Sequence, residues 1–163
     1  MKPSWWKKSK GKTPKAKAWD AASKYGRLRD AIEYCKAHGI SLRQFARPEN
    51  IIGKCRTCPQ TNAWIRMDCG HWKSRGIGGS SGIYFDERAF GLQCGQCNAF
   101  KQGAPKEYNQ FMLEKYGQKV IDELEIKHHQ HADFSDFAMA ATEQFYKDEY
   151  NKLLVENGLV KNR

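Results

Sequence analysis

The chain has 163 residues and a formal net charge of +10. That length allows one compact domain with extensions, and the charge favours a polyanionic partner. No apolar run is long enough to cross a membrane and no signal-peptide core opens the chain, so a membrane class is excluded and a cytoplasmic protein with reduced thiols is expected.

Residues 1–19 hold seven lysines before Asp20 and no acidic residue. They also carry Trp5, Trp6 and Trp19 and two prolines, with no periodic apolar pattern. This composition predicts a flexible basic arm. Its lysines, Lys7 and Lys8 among them, would collect phosphates, and its tryptophans can stack on unpaired bases. A solvated tail that only aids solubility is an equally good reading.

Residues 20–50 predict a helix over 21–37, with Asp20 as N-cap and Gly39 as its stop. Tyr25, Leu28, Ile32 and Cys35 fall on one face, with Lys24, Arg27 and Arg29 off it. A short element over 42–45 ends near Pro48.

Residues 51–103 predict a β-hairpin followed by a helix, with a cysteine knuckle at each end. The strands are expected over 63–69 and 83–94, joined through a glycine-rich loop over 76–82. A helix should start near Asn98. Residues 104–163 predict three helices. The first carries Tyr108, Phe111, Met112 and Tyr116 and ends at Gly117. The second carries Val120, Ile121 and Leu124. The third starts at Ser135, carries Phe145, Tyr146, Tyr150 and Leu153, and ends at Gly158. Packing onto the core is the plainer use of these stripes, and a homodimer interface is the alternative. The fold class read from this pattern is α+β.

Cys55 and Cys58 form one CxxC pair, Cys94 and Cys97 a second, with 35 residues between them. Doubled CxxC pairs fit a tetrahedral zinc site with four thiolates and no open position, hence structural zinc. Such a site supplies folding energy to a small hairpin that has little core of its own. Cys35 and Cys69 are left over, and Cys35 suits the core.

Between the pairs stand Asp68 and His71, and Asn98 directly follows Cys97. Phosphodiester hydrolysis needs a base for water, a cation and phosphate grips. His71 suits the base because its ordinary pKa lies near neutrality. Asp68 and Asn98 offer hard oxygens suited to Mg2+. Lys73, Arg75, Arg88 and Lys101 can hold phosphate oxygens. On a regular strand, Asp68 and His71 point to opposite faces; Gly70 could allow a bulge that brings them together, and without that bulge Asp68 is not a metal ligand. By residue type alone, a histidine near a strand end is more often structural. His128, His129 and His131 read better as a polar helix end than as a second metal site.

At these residues the sequence resembles the HNH, or ββα-metal, nucleases, and in particular the lambdoid phage NinG/Rap recombination endonucleases. The resemblance runs over about 18–131. It rests on Tyr25-Gly26-Arg27-Leu28-Arg29-Asp30, the first CxxC, Asp-x-Gly-His-Trp at 68–72, Phe-Asp-Glu-Arg at 85–88, Gln-Cys-x-x-Cys-Asn at 93–98, Lys-x-Gly at 101–103 and Tyr-Gly-Gln-x-Val-x-Asp-Glu-Leu at 116–124. The second knuckle is also similar to that of phage endonuclease VII. The resemblance implies a small zinc-stabilised ββα-metal core with flanking helices. It implies Mg2+- or Mn2+-dependent cleavage of Holliday junctions, D-loops or other branched DNA in the bacterial host, leaving 5′-phosphate ends. His71 would be the base, Asp68 and Asn98 the metal ligands and the four paired cysteines the zinc ligands. Three departures stand out. Ala89 occupies the place of the middle asparagine, for which Asp86 is the nearest substitute. Lys101 stands where endonuclease VII has a glutamate, and an N-terminal cysteine cluster of some relatives is absent. A sequence-specific HNH nuclease and a non-catalytic zinc-dependent nucleic-acid binder are the two other readings.

Overall fold

A computed structural model describes residues 11–73 and 81–160. Its longest element is α1 (Pro14–Ala37). This corrects the expected helix start: the helix begins seven residues before Ala21, and Trp19 and Asp20 lie inside it. The physical reason is a better start signal upstream. The Thr13 hydroxyl accepts a hydrogen bond from the Ala16 amide at 3.2 Å, Pro14 takes the first helical turn, and alanines fill the interior. Lys7 and Lys8, with Trp5 and Trp6, lie outside the described residues.

The face of α1 formed by Ala18, Ala22, Tyr25, Leu28, Ile32 and Cys35 is buried, as the 3.6-residue period requires. Arg29 is buried too, against expectation, and so is Asp30. The last long helix, α4 (Asp136–Glu156), starts where expected. Its N-cap Ser135 accepts from the Ala138 amide at 3.3 Å. It packs along α1 through Tyr146, Tyr150 and Leu153, while Phe145 faces outward.

The middle of the chain is less regular than its apolar runs suggest. β1 (Ile52–Lys54) pairs antiparallel with β2 (Thr61–Ala63). The expected strand over 63–69 is interrupted by a 3-10 turn, Trp64–Arg66, because Trp64 turns inward and its indole donates to the Pro48 carbonyl at 2.8 Å. β3 (Asp68–His71) then pairs antiparallel with β4 (Phe90–Gln93). The second expected strand is likewise shorter, since Asp86 caps a 3-10 turn at Glu87–Ala89 just before β4. A five-residue helical turn, Gln96–Phe100, follows β4. Two further helices, α2 (Pro105–Tyr116) and α3 (Gln118–His128), meet at Gly117, whose φ of +80° is open to glycine.

A buried ionic network locks α1 to the hairpin. Asp30 accepts from Arg56 at 2.6 and 3.0 Å, from Arg29 at 2.8 and 3.0 Å, and from the Leu92 amide at 2.8 Å. Arg29 also donates to the carbonyls of Glu87 and Phe90. Arg56 reaches the Tyr108 hydroxyl at 3.3 Å, and Tyr108 donates to the Gly70 carbonyl at 3.0 Å. Gly91 sits against this network: a Cβ there would lie 2.1 Å from Arg56 Nε and 2.2 Å from Asp30 Oδ2. Every carboxylate oxygen has donors, which is what a buried charge requires.

Candidate metal centre and the polar groups beside it

The two cysteine pairs converge. The four Sγ atoms of Cys55, Cys58, Cys94 and Cys97 all lie within 4.8 Å of one another, and Cys58 and Cys94 are 3.7 Å apart. A zinc tetrahedron with Zn–S of about 2.3 Å has S···S edges of about 3.8 Å. The donor set therefore fits zinc. Backbone amides of Cys94 and Thr57 point at Cys55 Sγ at 3.3 and 3.5 Å, and the Cys97 amide points at Cys94 Sγ at 3.5 Å. Burial disfavours the Cys55 thiolate, but hydrogen bonds from the Thr57 hydroxyl and from these amides outweigh it, so the thiol lies below its ordinary range. Among the described residues this is the one cluster of metal-ligating side chains. His128 instead bonds Ser81 at 2.7 Å, and His131 bridges Ser81 through the backbone. Cys69 is buried beside Gly26 and Phe90, and burial pushes its thiol up to about 12.

The helical turn anchored by Cys94 and Cys97 delivers Asn98 to β3, where its amide nitrogen lies 3.1 Å from Asp68 Oδ2. Turning that amide over would aim Asn98 Oδ1 at the same side, and amide orientation is set only by such hydrogen bonding. Asp68 and Asn98 thus form an oxygen-bearing pair next to the cysteine cluster.

His71 stands apart from that pair. The β3–β4 register runs residue for residue from Asp68↔Gln93 to His71↔Phe90, with no bulge at Gly70. Side chains three apart on such a strand leave opposite faces. His71 lies on the α1 face, stacked on Trp19 with ring centroids 4.2 Å apart and planes at 24°. Tyr84 closes on it at 4.7 Å and Phe90 at 6.1 Å. His71 Nε2 lies 2.9 Å from the Tyr84 carbonyl oxygen. A carbonyl oxygen only accepts, so Nε2 donates and carries a proton, and Nδ1 is buried.

Two of the candidate phosphate grips, Lys73 and Arg88, have acidic partners. Lys73 pairs with Glu125 at 2.5 Å. Arg88 pairs with Asp86 at 2.9 Å and Glu123 at 3.1 Å rather than with Glu87, which accepts from the Tyr25 hydroxyl. Asp86 is taken up by Arg88 and Lys127. Lys101 is exposed, and Arg75 lies outside the described residues. Sequence reasoning missed Trp19 and Tyr84 as neighbours of His71. The signal for Trp19 was the alanine spacing of residues 16–22, which is helical and not arm-like.

Comparison with known proteins decides the family. The family described as Bacteriophage Lambda NinG protein matches residues 6–156. The chain belongs to the NinG family. Protein ninG of Escherichia phage 933W is 33% identical over 91 residues, covering 56% of this chain and 44% of that relative. Protein ninG of Salmonella phage P22 is 33% identical over 91 residues, covering 56% of this chain and 43% of the relative. That of Enterobacteria phage H19B is 33% identical over 66 residues, covering 40% and 32%. The chain spans less than half the length of these curated NinG relatives in the matched stretches. No solved structure matches. No helix among the described residues is long and apolar enough to cross a membrane.

Proposed function

We propose that this NinG-family chain is a metal-dependent endonuclease acting on branched DNA, with an HNH-like ββα arrangement formed by β3, β4 and the turn that carries Asn98. The observation that carries the reading is the Asp68–Asn98 contact at 3.1 Å, because the cysteine cluster holds the turn that makes it. Zinc held by the four cysteines would stabilise that turn. Asp68 and Asn98 would hold Mg2+ or Mn2+, a cation that supplies positive charge for a phosphate under attack.

His71 would take a proton from the attacking water at Nδ1, a nitrogen that is buried in this structure and has to be uncovered for water to reach it, while the Tyr84 carbonyl holds the proton on Nε2. That carbonyl does the orienting that Ala89 cannot. On this register His71 and Asp68 leave opposite faces of β3, so a shared centre requires the hairpin to rearrange when DNA and cation bind. The net charge of +10 suits a DNA partner.

The test incubates the protein and His71→Ala with a labelled Holliday junction and a matched linear duplex, with Mg2+ and with chelator. Junction cutting that needs Mg2+ and is lost in the variant is the expected result. Equal cutting of both substrates would point instead to a general or sequence-driven nuclease. A second reading, a zinc-dependent binding module, draws on Ala89 and on the separation of His71 from Asp68. Tight junction binding with no cutting in any divalent metal would favour it.

A further inference from the structure

We propose that Gln93 is a positioning residue that ties the first cysteine knuckle to the turn carrying Asn98; this rests on the reading of Asn98 as a cation ligand. Gln93 is fully buried. On β4 it stands directly opposite Asp68, so its side chain leaves the same face of the hairpin. Its Nε2 donates to the Thr57 hydroxyl at 3.0 Å and to the Gly103 carbonyl at 2.9 Å. A carbonyl only accepts, so the nitrogen belongs on that side and Oε1 faces Gly70. A Cβ on Gly70 would lie 1.7 Å from this oxygen. Oε1 has no hydrogen-bond partner among the described residues. A buried acceptor left unpaired carries a cost that an apolar side chain of the same size avoids. Filling space therefore does not account for an amide here, whereas its two donor bonds do.

Those bonds reach both sides of the Asn98 turn. Thr57 Oγ1 lies 3.3 Å from Cys55 Sγ. A zinc-bound thiolate accepts, so the hydroxyl donates to it and takes the Gln93 bond on a lone pair. Gly103 closes the chain after Gln96–Phe100: its amide donates to the Cys97 carbonyl at 2.9 Å, and the Ala104 amide donates to the Lys101 carbonyl at 2.8 Å. Gln102, Gly103 and Ala104 have φ of +51°, +87° and +48°. Two of the three are not glycine, and left-handed backbone persists at such residues only where the surroundings fix it. The bond from Gln93 to Gly103 is one such fixture. The zinc ligands hold the turn ahead of Asn98, and Gln93 holds it behind.

The test compares Gln93→Met, which keeps the side-chain length without the hydrogen bonds, with the unaltered chain, both loaded with zinc. Hydrogen exchange is read at the Gly103 amide and at the core amide of Trp64, which donates to the Ile51 carbonyl at 3.0 Å. Mn2+ binding is read by electron paramagnetic resonance. The variant should keep one zinc per chain. Exchange at Gly103 should speed up about 10-fold or more with Trp64 within about twofold, and Mn2+ affinity should fall about 10-fold. Unchanged exchange at Gly103 overturns the proposal, as does unchanged Mn2+ affinity. Equal acceleration at both amides also overturns it, because Gln93 would then support the whole core, and so does loss of zinc, which would limit its role to the knuckle. Should Gln93→Met fail to fold, Thr57→Val, which removes one end of the tie and leaves Gln93 in place, should give the same selective acceleration at Gly103. If the unaltered chain binds no Mn2+, the cation reading fails, and the exchange at the two amides alone decides the role of Gln93.

Discussion

Asp30 on α1 and Arg56 inside the first cysteine pair are joined by two hydrogen bonds, at 2.6 and 3.0 Å, with their side chains 7% and 1% exposed. The pair couples the helix that carries Trp19 to the loop that carries Cys55 and Cys58. It also passes through Asp30 to the Leu92 amide, two residues before Cys94. Removing one partner leaves a buried charge without compensation. Asp30→Asn should therefore cost about 3–5 kcal/mol. Thermal unfolding should show a midpoint lower by roughly 10 °C at this chain length. A change under 1 °C would mean that α1 is not held to the hairpin through this pair.

Gly91 allows the same network to close. A Cβ at this position meets Arg56 Nε and Asp30 Oδ2 well inside contact distance, and both atoms are locked in the pair rather than at a free end. Gly91→Ala should lose about 3 kcal/mol or more, comparable to loss of the pair itself. Urea unfolding of Gly91→Ala, Asp30→Asn and the double variant would show it. The double variant should be much less destabilised than the sum.

Acid should weaken the fold in a definite window. Burial alone would raise the Asp30 carboxyl, but Arg56 and Arg29 outweigh it and hold the group well below the carboxylate range. Burial also opposes the shift at Asp86, where hydrogen bonds from Arg88 and Lys127 bring it down to about 2. Both folded values lie below the unfolded value of about 3.9. Their contribution is complete above pH 4 and falls as the pH drops from about 4 towards 2. Denaturant midpoints measured across that range should decline steeply, and Asp86→Asn should flatten part of the decline.

Loss of zinc should act on the fold before it acts on any chemistry. The thiolates close the gap between the β1–β2 turn and the turn after β4. Chelation should therefore release the Gln96–Phe100 turn together with Asn98. We expect chelator to lower the unfolding midpoint by more than 10 °C, since structural zinc contributes about 10 kcal/mol or more in small domains. Cys97→Ser should do the same without chelator. Zinc stoichiometry of one per chain checks the premise.

Asp68 and Asn98 should separate stability from metal binding. Asp68 is exposed and Asn98 half-buried, so alanine at either should change stability by less than about 1 kcal/mol. Each should weaken Mn2+ binding, read by electron paramagnetic resonance, about 10-fold or more. His71→Ala should leave it unchanged. Equal Mn2+ binding in all three variants would remove the pair from the proposed cation site.

Much of this was legible from residue spacing. Two CxxC pairs announce a four-thiolate site wherever the chain carries them, because tetrahedral zinc needs only those ligands and two tight turns. Gly117, Ser135 and the apolar stripes of α2 to α4 mark their helices by local rules of capping and period. Lysine content points to disorder up to Asp20, while Thr13, Pro14 and the alanines carry the helical signal that starts α1. The strands over 63–69 and 83–94 came out short because inward-turning Trp64 and the cap at Asp86 break runs that look continuous by hydrophobicity.

The sequence by itself determined the cysteine cluster, the helix boundaries set by caps, and the placement of Asn98 one residue past a ligand. Each of these depends on neighbours along the chain. The tertiary structure alone decided three things. It set the residue-for-residue register that sends Asp68 and His71 to opposite faces. It enclosed Arg29, Asp30 and Arg56 in one network, and it laid Trp19 on His71. These are contacts between segments tens of residues apart, and they are fixed by how buried surfaces and buried charges find partners, which no local pattern encodes.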